Sequence, residues 1–268
     1  MLIRNPYVAG SFYPSNREEL LHFCKAHLET STDPLSAKAV ILPHAGYVYS
    51  GQTACRTLSP ISVPEKNILI GPNHKGFGSD FAVFCRGEWL TPLGRVPVAS
   101  DLAAQLLECS HDLRKDEQAH GLEHSLEVLI PFLQFKNSSI QIVPLIVGSL
   151  DLNRAREAAL AIGEVLSVKN ERFLLVISND MSHYESDAAA RKKDRYALDT
   201  IENLDAEALA KVVRKHRITM CGFVPVYMLL VMRAALGIKR ATLVDYTTSA
   251  DATGDKERVV GYAGFIFE

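Results

Sequence analysis

Ile41-Leu-Pro-His44, Ile68-Leu-Ile-Gly-Pro-Asn-His74 and Leu175-Val-Ile-Ser-Asn-Asp180-Met-Ser-His183 share one pattern. Each opens as a short apolar run rich in aliphatic residues and closes, within a few positions, on a histidine; the third also delivers an aspartate. Such runs read as buried strands. In open α/β sheets the loops leaving the carboxyl ends of the strands line the binding crevice. Three strands that each carry a histidine to that edge can bring their imidazoles close together.

Further runs of the same kind are Ile140–Val147, Ala241–Tyr246 and Val259–Phe267, while the first three strands are expected over Ala39–Leu42, Asn67–Ile70 and Phe173–Ile177. Helical periodicity marks Asn16–Leu28, Gly51–Leu58, Ser100–Glu108, His124–Phe135, Leu152–Ser167, Asp187–Ile201, Ala206–His216 and Pro225–Leu236. Ser15 with Glu18 fits a capping box, and Asp205 with Ala208 a partial one. Strands alternating with helices predict an α/β fold, a central mainly parallel or mixed β-sheet sandwiched by helices. No repeat, low-complexity tract or linker interrupts the 268 residues, so one domain over 1–268 is expected.

Composition fits an ordinary globular chain, with 47% apolar and 22% charged residues. The net charge of −2, spread along the sequence, gives no electrostatic reason to expect nucleic acid or an anionic membrane as partner. The start, Met1 to Pro6, has no run of signal-peptide length, and the most apolar stretch, Val224–Leu236, contains Pro225 and Arg233 and is too short to span a bilayer. Five cysteines without a CxxC pair then suggest reduced thiols in a cytosol. Asn137-Ser-Ser139 reads as a plain turn.

The candidate residues each carry two readings. His44, in Pro43-His-Ala-Gly-Tyr-Val-Tyr-Ser-Gly51, is a hydrogen-bonded turn histidine or a metal ligand. Tyr47 and Tyr49 are packed aromatics or phenol donors. His74, in Gly71-Pro-Asn-His-Lys-Gly-Phe-Gly78, has the same pair of readings, and the glycines there allow a weak anion-nest alternative. Asp180 and His183 make either a helix N-cap cluster or a carboxylate–histidine pair that fixes a tautomer. His120 and His124 are four apart, but Gly121 occupies the glutamate position of a zinc-protease helix, which excludes that motif. His124, at a helix start, then reads as an acid/base group or as a supporting partner of another ligand, and His120 as a loop residue. Cys221 is a small buried residue, or a thiolate favoured by the positive end of the following helix. Cys24, Cys55, Cys85 and Cys109 read as structural.

Taken together, Arg4-Asn-Pro6, Ala9-Gly-Ser-Phe-Tyr-Pro14, Pro43-His-Ala-Gly-Tyr47, Gly71-Pro-Asn-His74, Glu123-His-Ser-Leu-Glu127, Asp180-Met-Ser-His-Tyr184, Cys221-Gly222 and Gly261-Tyr-Ala263 resemble the Memo family nearly end to end. That family is similar in fold to the class III extradiol (LigB-type) dioxygenases, which open catechol rings with non-haem Fe(II). The resemblance implies metal ligation by His44, His74 and Cys221, with Asp180 close by, and acid/base roles for His183 and His124. The dioxygenases complete their site with a carboxylate, whereas Cys221 stands in that place here. A thiolate favours softer metals and can itself be oxidised. The resemblance therefore implies an Fe(II) or Cu site with redox or dioxygenase-like chemistry on a small molecule. The alternative is a binding module whose protonated histidines receive a phosphorylated or carboxylate-bearing peptide or ligand. The family resemblance also implies a radical-SAM protein and an AMMECR-domain protein as partners.

Overall fold

A computed structural model describes residues 2–29 and 31–268. Twelve strands are present among the described residues: β1 (Ile3–Arg4), β2 (Ala39–Leu42), β3 (Lys66–Pro72), β4 (Phe81–Val83), β5 (Glu88–Thr91), β6 (Gly94–Pro97), β7 (Arg114–Lys115), β8 (Gln141–Val147), β9 (Phe173–Ser178), β10 (Asp180–Glu185), β11 (Ala241–Thr248) and β12 (Val259–Phe267). The α-helices are α1 (Arg17–His27), α2 (Gln52–Leu58), α3 (Ser100–Cys109), α4 (Gln118–Gly121), α5 (Ile130–Lys136), α6 (Leu152–Ser167), α7 (Asp187–Glu202), α8 (Ala206–His216), α9 (Phe223–Met232) and α10 (Ala250–Thr253).

The main sheet runs β10-β12-β2-β9-β3-β8-β4-β7, with β11 paired to β12, and β1, β5 and β6 form a separate small sheet. Its centre, β2, β9, β3 and β8, is parallel. Antiparallel neighbours flank it, β12 on one side and β4 on the other. β2 is buried at every position, and β3, β8 and β9 at all but the first. That is the burial of strands covered on both faces, and it explains why they read as continuous apolar runs rather than alternating ones. The expected mixed, mostly parallel sheet flanked by helices is what the chain forms.

Several local expectations are corrected. The N-cap of α1 is Asn16, whose side chain accepts from the N–H groups of Glu18 and Glu19, so the Ser15 capping box does not form. Asp205 caps α8 through Ala208 N–H as expected. The helix expected from His124 begins later. A 3₁₀ turn at Glu127–Leu129 leads into α5 at Ile130, where Pro131 fits the first turn. His124 lies in the turn before it because the Glu123 carboxylate takes up the His124 and Ser125 N–H groups. His120, read as a loop residue, lies in the short α4 and is fully buried. The polar segment Asp180–Glu185 is no helix cap but a strand, β10, antiparallel to β12, with Asp180 opposite Tyr262; the helix after it is capped by Ser186. The apolar stretch near residue 225 forms α9, buried at eight of its ten positions. No helix among the described residues is long and apolar enough to cross a membrane.

Candidate metal centre

The carboxyl ends of β2, β3 and β9 lie side by side, and Leu42 pairs with Ser178 in register. Chain continuity therefore places His44 two residues past β2, His74 two past β3 and Asp180 just past β9 on one edge. Cys221 arrives from the turn before α9. Its neighbour Gly222 packs against the end of β9: a Cβ there would lie 2.3 Å from the Ser178 carbonyl oxygen, and the Gly222 N–H donates to Asn179 Oδ1 at 2.9 Å. Gly222→Ala is expected to cost about 1–3 kcal/mol through overpacking and to push Cys221 out of position. A lowered urea midpoint together with weaker metal binding checks this.

One potential ligand atom from each of His44, His74 and Cys221 lies within 4.8 Å of the other two. The imidazoles of His44 and His74 have centroids 5.2 Å apart, and Cys221 Sγ is 3.3 Å from His44 Nε2.

The tautomers follow from the partners. Ser178 Oγ donates to the Ser125 carbonyl at 2.6 Å, so towards His44 Nδ1, 2.7 Å away, it acts as acceptor. His44 therefore carries its proton on Nδ1 and leaves the Nε2 lone pair facing Cys221. His74 Nδ1 meets Glu123 Oε1 at 2.9 Å. A carboxylate only accepts, so His74 also keeps its proton on Nδ1 and frees Nε2. The residues fit a metal ion: two imidazole lone pairs and one sulfur converge, and the opposite nitrogen of each ring is tied down.

Glu123, noted in the sequence only as a neighbour of His124, turns out to be central. Its Oε1 accepts from His74 Nδ1 and from the His124 and Ser125 N–H groups, and its Oε2 from His74 N–H. Burial alone would raise this carboxyl, but the hydrogen bond from His74, the nearby imidazole itself and the Ser125 N–H hold it at about 2. A second grouping of His74, Glu123 and His124 also has metal-compatible spacing. Glu123 is so fully engaged there that it acts as a holder of histidines rather than a ligand.

Asp180 faces His44 and not His183. Its Oδ1 accepts the His44 N–H at 2.7 Å, and its Oδ2 is 4.0 Å from His44 Nε2. Burial raises its carboxyl to about 7, against the hydrogen bonds from the His44 and Ala45 N–H groups and the nearby His74 ring that lower it. The expected Asp180–His183 pair is thus not formed. His183 donates from Nδ1 to the Thr219 carbonyl at 3.0 Å, and its own N–H goes to Thr219 Oγ1. His124 joins the cluster, its ring 5.5 Å from that of His44 and 4.7 Å from that of His74, with Phe12 4.8 Å away.

Burial lowers the basicity of His44, with the neighbouring histidines adding to the effect. Burial likewise lowers His183 and brings His124 to about 4. Cys221 is pushed well up, first by burial and then by the Asp180 charge. The thiolate expected from the helix end is therefore not favoured until a cation is present. The weak anion nest at Gly71–Gly78 is also closed, since Asn73 Oδ1 accepts the Lys75 and Gly76 N–H groups. Tyr47 is a packed aromatic, stacked on Phe132 with its hydroxyl on the Val128 carbonyl, while Tyr49 is exposed.

A sequence profile of the Memo-like protein family matches residues 4–266. The chain is 41% identical to a MEMO1 family protein of Aquifex aeolicus (strain VF5), over the full length of both. It is 36% identical to one from Methanobrevibacter smithii, again over both full lengths, and 37% identical to one from Methanopyrus kandleri across 98% of each chain. Among solved structures, an uncharacterized protein from Escherichia coli K12 superposes with a TM-score of 0.54 at 16% identity, covering 86% of this chain and 99% of that one, a likeness of fold.

Proposed function

The chain belongs to the Memo-like protein family, and on that premise we propose that it is a mononuclear Fe or Cu protein with redox or dioxygenase-like chemistry on a small molecule. One observation carries the proposal: His44 and His74 both have Nδ1 committed to an acceptor, which leaves two Nε2 lone pairs near one cysteine sulfur. Imidazole with thiolate is a donor set suited to Fe and Cu. When bound, the metal would supply a Lewis-acidic, redox-active centre able to take substrate or O₂.

The chain's own groups would do the rest. Glu123, Ser178 and Asp180 orient the ligands. His124 and His183, kept neutral at pH 7 by burial, can accept a proton. Asp180, raised by burial to about 7 in the metal-free chain, would be shifted towards its charged form by a bound cation and could then accept one. The second reading, a cleft that clamps a phosphate or carboxylate with imidazolium groups, is supported less. The same burial keeps His44, His124 and His183 uncharged at neutral pH.

The test is elemental analysis of protein purified without air and without an affinity-tag metal. Wild type is expected to hold about one Fe or Cu per chain, and His44→Ala with His74→Ala to hold none. The double variant is not free of structural cost. His44 is only 2% exposed rather than a loop-surface residue, and its loss leaves Ser178 short of a partner, at about 1–3 kcal/mol. Circular dichroism must therefore show the variant folded. Equal metal in both proteins would count against the proposal.

A further inference from the structure

Residues 118–127, α4 and the turn that carries Glu123 and His124, are gripped by the N-terminal segment. β1 pairs in parallel with β5, setting Arg4 opposite Trp89, and the guanidinium carbon lies 4.4 Å from the centre of the Trp89 ring. From there Arg4 Nε donates to the His120 carbonyl at 3.1 Å and Nη2 to the Glu123 carbonyl at 2.7 Å, while Nη1 pairs with the Glu127 carboxylate. Glu127 also accepts from the Tyr7 and Val8 N–H groups and from the Tyr13 hydroxyl. Both charged side chains are buried, at 4% and 1% exposure. Only a planar guanidinium offers donors in a fixed fork that can hold two carbonyls and a carboxylate together.

Two routes lead from this loop to the imidazoles. The Glu123 carboxylate fixes His74 at both Nδ1 and the backbone N–H. The Ser125 carbonyl takes the Ser178 hydroxyl proton, which obliges Ser178 Oγ to accept from His44 Nδ1. Ser125 is in turn tied by its hydroxyl to the Pro72 carbonyl at 3.0 Å. A shift of the loop would break both routes at once.

We infer that Arg4 and Glu127 are positioning residues: they lock residues 120–127 in the one register in which Glu123 and Ser125 hold His74 and His44 as Nδ1–H tautomers, leaving both Nε2 lone pairs free in the His44–His74–Cys221 cluster. Neither residue touches the cluster; each acts through the loop. The inference deepens the metal-site reading and rests on it for its purpose, but the tautomer lock is a property of the metal-free protein and can be read there.

The experiment compares wild type, Arg4→Met with Glu127→Gln, and Arg4→Lys. The double variant removes both buried charges together, which avoids stranding one of them. Arg4→Lys keeps the charge pair but cannot span both carbonyls. Long-range ¹H–¹⁵N spectra of the histidine rings in metal-free protein report the tautomers, and chelator competition with Co(II) reports affinity. Leu106→Ala, a buried truncation on α3, serves as the control for destabilisation alone.

Wild type and Leu106→Ala are expected to show single Nδ1–H tautomers at His44 and His74. Both Arg4 variants are expected to show mixed tautomers, at His74 above all, and about tenfold weaker Co(II) binding, the scale of losing an outer partner of a metal-bound histidine. Unchanged tautomers and affinity in both Arg4 variants would overturn the inference, as would the same change in Leu106→Ala. If wild type binds no metal while the Arg4 variants still lose the tautomer lock, the positioning role stands and the metal reading falls.

Discussion

Between pH 7 and pH 9 the affinity of wild-type protein for a divalent metal is expected to rise about tenfold per pH unit, or about 1.4 kcal/mol per unit. Burial, with the Asp180 charge behind it, raises the Cys221 thiol well above its ordinary value. Burial also keeps His44 neutral across this range. Metal entry must then displace the thiol proton, and each step up in pH makes that displacement easier. The sign is fixed: a group protonated without metal and deprotonated with it makes binding tighter as pH rises, until its own pKa is passed. Below about 7 the slope is expected to steepen, because Asp180 is itself raised to about 7 and a cation favours its charged form. Cys221→Ser is expected to flatten the slope above pH 7 and to weaken binding. Calorimetric titration in two buffers of different ionisation enthalpy counts the released protons directly. Metal uptake without proton release at pH 8 would mean that the thiol is not a ligand.

Glu127→Ala is expected to destabilise the protein by about 3–5 kcal/mol, the scale of breaking a buried ion pair from one side. The change leaves Arg4 charged and buried and removes the acceptor of the Tyr7 and Val8 N–H groups and the Tyr13 hydroxyl. Removing both charges, as in Arg4→Met with Glu127→Gln, should cost markedly less. Urea denaturation of the single and double variants measures the difference. Similar midpoints for Glu127→Ala and wild type would show that the pair contributes little.

Legibility in the sequence follows the range of the interactions. Ile41, Ile68 and Val176 sit in apolar runs that sheet burial on both faces demands, and the histidines lie within a few residues of those runs, so the edge carrying them could be read directly. The resemblance then joins Cys221 to His44 and His74 as one ligand set. The supporting shell was hidden because its contacts join distant parts of the chain: Glu123 reaches His74, Ser125 reaches Ser178, and Arg4 reaches Glu123. Glu123 was visible as a carboxylate beside His124, yet nothing local says that it points to residue 74. Nothing near Ser178 in the sequence says that its hydroxyl meets residues 44 and 125. β10 was missed because its polar residues carry no strand pattern; pairing with β12 makes it a strand. The positive helix end near Cys221 was visible as well, but the burial that outweighs it beside Asp180 was not.

X-ray absorption at the metal edge of protein loaded with Fe or Cu tests the central claim most directly, because it counts ligands by element and distance. With His44, His74 and Cys221 as ligands, the first shell should contain one sulfur at about 2.3 Å and at least two nitrogen or oxygen scatterers at about 2.0–2.1 Å. The sulfur should vanish in Cys221→Ser. A first shell of nitrogen and oxygen alone in the wild-type protein would contradict the account.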